Sequence, residues 1–151
     1  VSDSLDVAGM PTGLGLAGAA PHAACRDAFV VERLRASGAV ILGKTQIDEA
    51  AVGTLGRNPA IGDVPSPLLP ERVAGGASAG AAVAVAAGFC SAALGPDAMG
   101  GARIPAAFCG VVGLRPTLGE LSVRGMASIL RRVDCVGVLA REVADVAPLL
   151  Q

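Results

Sequence analysis

Two stretches decide how this chain folds: GGASAGAAVAVAAG at residues 75–88 and GPDAMGGARIPAAFCGVVGLRPTLGELS at residues 95–122. The first opens on a glycine pair and runs into small apolar residues. It predicts a tight turn, then a buried helix over about 79–88 with Ser78 at its N-cap. Ser91–Gly95 follows as a short apolar run and suits a strand. The second stretch begins with a loop, Pro96–Gly101. Pro105 then fits the first turn of a helix over 104–110, and 113–117 reads as extended.

Working outward, Asp27 offers a helix N-cap, with Val30, Val31 and Leu34 as an apolar stripe and Gly38 as the stop. AVIL at 39–42 reads as a buried strand. Lys44 and Asp48 form an i,i+4 pair if that segment is helical. Residues 5–22 and 56–76 carry Gly and Pro without a period and read as irregular. VGVLA at 136–140 is another strand, and 142–150 reads as a terminal helix with Val143, Val146, Ala147 and Leu150 on one face. Strands alternating with helices argue an α/β fold, a mixed sheet flanked by helices, in one partial domain over 1–151.

The composition narrows the function. Of 151 residues, 30 are Ala and 21 Gly; hydrophobic residues make up 52% and charged residues 17%. Such a chain folds rather than staying disordered. With aromatic residues at 2%, its core consists of small side chains and depends on close backbone approach. A net charge of −1 supplies no basic face, which disfavours nucleic acid. Cys25, Cys90, Cys109 and Cys135 are widely spaced and His22 is the single histidine, so a zinc site is not expected; no cofactor is expected either. The thiols read as small reduced hydrophobes. The apolar stretch 80–95 is shorter than the ~20 residues a bilayer needs, and no basic segment with an apolar stretch opens the chain. No membrane association and a cytoplasmic location are expected.

Together with the two opening stretches, SDSLDVAGMPT (2–12), LRASGAVILGKTQIDEAA (34–51) and VGVLAREVADVAPLL (136–150) resemble the amidase signature family in order and spacing. The resemblance implies amide hydrolysis by a lysine, a serine preceded by a cis peptide bond, and a nucleophilic serine, with an oxyanion held by backbone N–H groups. Such a hydroxyl is a weak nucleophile until a neighbouring base takes its proton. The lysine position falls on Ser2, the cis-serine on Ala77 and the nucleophile on Gly101. None of the three keeps its family side chain. The oxyanion loop corresponds to Ala98, Met99, Gly100 and Gly101. Met99 stands where the family has Gly, so a strained, reshaped loop is expected if its φ is positive. Pro96 stands where the family usually has Thr. Ser78, Asp97 and Arg103 persist as possible pocket residues, the last two more simply as groups tying the loop to its helix. Lys44 matches a different family lysine.

These substitutions point to a catalytically silent homologue that binds an amide-like ligand or a partner. An amide hydrolase with relocated chemistry at Ser78 or Ser2 is one alternative, and a non-functional fragment the other. The family domain is longer than 151 residues. Apolar surfaces left uncovered imply a homo-oligomer or a complex with another subunit.

Overall fold

The computed structural model describes residues 1–18 and 22–150. Its centre is a three-stranded antiparallel sheet in the order β3 (Ala92–Pro96), β5 (Val136–Ala140), β4 (Val112–Leu114). The register pairs Leu94 with Val138 and Val138 with Leu114. Helices cover both faces, which gives the α/β class. Alternation along the strands sorts their side chains. Ala93 and Leu139 face one core cluster with α2 (Ala79–Ala86) and α3 (Arg103–Cys109). Leu94, Val136, Val138 and Ala140 face the other, with Val30 and Val31 of α1 (Phe29–Ala36). Among the described residues, parallel pairing is confined to single bridges, Ser2 with Thr45 and Ala8 with Ala24.

Small residues make the layers possible. A Cβ built on Gly137 would lie 2.5 Å from Ala102 Cβ, and one on Gly113 would lie 2.6 Å from Ala106 Cβ. The start of α3 therefore rests directly on β5 and β4, with no room for a side chain between them.

Several expectations need correction. The N-cap of α1 is Ala28, not Asp27. Asp27 Oδ1 accepts from Ala8 N–H at 2.7 Å, and its Oδ2 pairs with Arg35 at 2.9 Å, so the carboxylate is committed elsewhere. Residues 39–42 form no strand. Val40 is 80% and Leu42 70% exposed, because pairing on this segment begins only at Thr45. They line a groove of about 710 Å³ with Val1, Phe89 and Arg141. Lys44 and Asp48 are not paired, since that segment is not helical. Lys44 Nζ instead donates to Pro11 O and Thr12 Oγ1, both at 2.7 Å, and lies 3.5 Å from Asp3 Oδ1.

The terminal helix is two 3-10 turns, Val143–Asp145 and Ala147–Leu149. Pro148 has no N–H to continue an α-helical ladder, and a capping box of Glu142 and Asp145 fixes the first turn. The long loop at 56–76 is irregular apart from a Pro65–Val73 bridge. In the early irregular segment, β1 (Pro11–Thr12) pairs with β2 (His22–Ala23), while 19–21 lie outside the described residues.

Candidate functional site

The three positions that the family resemblance assigns to a catalytic triad converge at the end of β3. Ser2 reaches it through its backbone: Ser2 N–H donates to Leu94 O at 2.8 Å. Ala77 arrives on the turn before α2, behind a cis Gly76–Ala77 peptide. Gly101 closes the loop after β3, and its carbonyl accepts from Ser78 N–H at 2.8 Å. A Cβ built on Gly101 would lie 3.6 Å from Ala77 N. All three residues are buried. The side chains offered are one hydroxyl, one methyl and one hydrogen. Ser2 Oγ is buried without a hydrogen-bond partner among the described residues.

Ser78 sits between these positions. It holds the N-cap place of α2, but its side chain caps nothing. Instead its buried Oγ donates to Pro96 O at 3.1 Å. That corrects the capping expectation: the hydroxyl fastens the helix start to the end of β3. The same Pro96 carbonyl lies 2.7 Å from the Cβ position of Gly101, closer than a side-chain carbon tolerates. No basic side chain bonds Ser78 among the described residues, and Lys44 is held at Pro11, Thr12 and Asp3.

The loop itself is organised by Asp97, which is fully buried. Its Oδ1 accepts from Gly100 N–H at 2.8 Å; its Oδ2 accepts from the Ala102 and Arg103 N–H groups at 3.3 and 3.2 Å. Arg103 grips both oxygens at 3.0 Å through Nε and Nη2, a fork that matches a carboxylate. Arg115, overlooked in the sequence, donates from Nε to Asp97 O at 3.0 Å and from Nη2 to Val133 O at 2.8 Å. Burial pushes the Asp97 carboxyl up, but the Arg103 side chain and the Gly100 and Arg103 amides outweigh it. The net position is below the ordinary carboxylate value.

Asp97 and Arg103 thus tie the loop to α3. Since Gly100 N–H is committed to Asp97, it is not a free oxyanion donor in this arrangement. Met99 is 65% exposed. Its expected strain does not occur: among the described residues the non-glycine positive φ values belong to Leu14, Ala50 and Ala51, while Gly100 takes φ +106°. Ala98 is half-buried beside it.

Asp48, which the sequence reading placed only as a partner for Lys44, lies behind the Ala77 turn. Its N–H donates to Ala77 O at 3.1 Å, and its Oδ2 accepts from Gly56 N–H at 3.1 Å. The pair IleAsp in QIDEAA carries no local signal for this; the burial comes from the turn folding back. Among the described residues no group of three His, Cys, Asp or Glu side chains could hold a metal ion. Likewise, no helix there is long and apolar enough to cross a membrane.

The architecture and sequence both match known proteins. The Amidase family model matches residues 1–151. A subunit of glutamyl-tRNA(Gln) amidotransferase from Salinibacter ruber is 44% identical over 150 residues, covering 99% of this chain and 29% of that protein. An indoleacetamide hydrolase from Pseudomonas syringae pv. syringae is 43% identical over 143 residues, covering 95% of this chain and 32% of that protein. The solved structure of the corresponding amidotransferase subunit from Thermotoga maritima superposes with a TM-score of 0.95 at 37% identity, over 99% of this chain and 33% of that one. The chain spans about a third of the length of the relatives it matches. With the family model covering every residue and relatives above 40% identity, the chain belongs to the amidase signature family.

Proposed function

We propose that this chain is a catalytically silent amidase-like unit that binds an amide-like ligand or a partner protein. One observation carries the reading: where Ser2, Ala77 and Gly101 meet, no side chain combines a nucleophile with a base. Ser2 Oγ has no partner among the described residues, and Ala77 and Gly101 have no hydroxyl. Removing one member of a comparable serine triad lowers the rate by about 10⁴- to 10⁶-fold. The family frame, held by Asp97 and Arg103, supports retained binding.

The alternative of chemistry relocated to Ser78 has less support. That hydroxyl is buried and donates to Pro96 O, and among the described residues no base receives its proton. A partner is supported by the exposed apolar side chains Val40, Leu42 and Phe89, and by relatives that are named as subunits. Incubation with propionamide, benzamide and glutamine is expected to give no ammonia above background. Release of ammonia that Ser78→Ala abolishes would overturn the reading. Light scattering is expected to show more than one chain per particle, either of this chain alone or with a co-purified partner. A monodisperse monomer contradicts that part.

A further inference from the structure

Asp48 combines features that its structural surroundings do not require of an ordinary aspartate. It is 2% exposed, and its Oδ1 has no hydrogen-bond partner among the described residues. Its carboxyl group is pressed between two α-carbons: a Cβ on Gly53 or on Gly76 would overlap it. Gly76 is the residue that leads into Ala77, and Asp48 N–H holds Ala77 O. The turn that brings the carboxyl here passes through Ala50 and Ala51, at φ +58° and +59°, a conformation that alanine disfavours. On the far side Gly56 N–H bonds Oδ2. The 48–56 turn and the 75–77 turn therefore share one carboxyl group as their contact.

We propose that the Asp48 carboxyl holds the Ala77 turn most firmly when protonated, and that loss of its proton loosens that turn. A buried anion demands donors for both oxygens, and one oxygen here has none. Among the described residues no cation compensates: Lys44 is held by Asp3, and Arg57 pairs with Asp63 at 3.5 Å. Asp63 adds a like charge, and Glu49, the next residue, is exposed. Burial accordingly raises the Asp48 carboxyl above its ordinary value of 3.8, more than the Gly56 and Leu55 amides lower it. The ionised form can be satisfied only by admitting water between Gly53 and Gly76. That would part the two turns and weaken the grip on Ala77 O. Charge on Asp48 thus couples directly to the position of Ala77, whether or not the site binds a ligand.

The test is a pH titration of the whole protein by NMR, following the Asp48 carboxyl carbon and the Ala77 amide and methyl signals. Asp48 is expected to titrate above 3.8, and the Ala77 signals to move with the same midpoint. Asp48→Asn should remove that step from Ala77 while leaving other titrations in place. An Asp48 midpoint at or below the ordinary value overturns the proposal, as does an Ala77 signal that ignores it. If Asp48→Asn does not fold, the wild-type midpoints alone decide between these outcomes.

Discussion

At Pro96 one carbonyl oxygen serves two neighbours: it accepts the Ser78 hydroxyl and closes the space beside Gly101. Any side chain at 101 must displace backbone rather than a flexible tip. Gly101→Ala is expected to destabilise by about 1–3 kcal/mol, the usual cost of overpacking, read as a lower urea midpoint. The same crowding acts on attempts to rebuild a triad. The triple variant Ser2→Lys, Ala77→Ser, Gly101→Ser is expected to show no turnover and a lower melting temperature than the parent. Arg103 sits in a different regime: half-exposed, yet bidentate on a fully buried carboxylate. Arg103→Ala should cost on the order of 2 kcal/mol, as for hydrogen bonds to a charged group. Arg103→Lys should recover only part of it, since a lysine cannot reproduce the fork. Urea titrations of the two variants separate these outcomes.

Among the elements, α3 is held by proximity rather than by large side chains. Gly137→Ala places a methyl against Ala102 and is expected to destabilise by about 1–3 kcal/mol through the same overpacking mechanism, checked by thermal melting. Local patterns made α2, α3, β3 and β5 legible in the sequence: their apolar runs, glycine borders and Pro105 act within a few residues. AVIL at 39–42 misled because a strand is defined by its partner, and this segment's backbone finds one only from Thr45 onward. Asp27 misled in the same way, since Ala8, far back in the chain, and Arg35, about two helical turns on, take the carboxylate that capping would need. Pro148 was visible, but the apolar spacing around it suggested a continuous helix that its missing N–H prevents.

For the molecule as a whole, two carboxylates set opposite pH slopes. Asp97 is held below the ordinary value of 3.8, so its stabilisation is complete above that value and is lost as pH falls through its own lower midpoint. Asp48 is held above 3.8, so its contribution is complete below that value and is lost as pH rises through its higher midpoint. Melting temperature against pH should therefore fall on the acid side in wild type, and fall less there once Asp97 is replaced by Asn. On the other side, Asp48→Asn should flatten the decline. Cys109, whose thiol burial pushes up to about 11, should resist alkylation in the folded state, while exposed Cys25 reacts.

Residue order along the family frame picked out Ser2, Ala77 and Gly101, and the fold brings these three positions together. The roles of Asp48, Arg115 and the Pro96 carbonyl were not legible, because each arises from burial and backbone approach between distant segments. The central claim, that the chain lacks family chemistry, is tested most directly by intact-mass analysis after incubation with a fluorophosphonate. An unchanged mass is the predicted result. An adduct of one phosphonyl group that maps to Ser78 or Ser2 would contradict it.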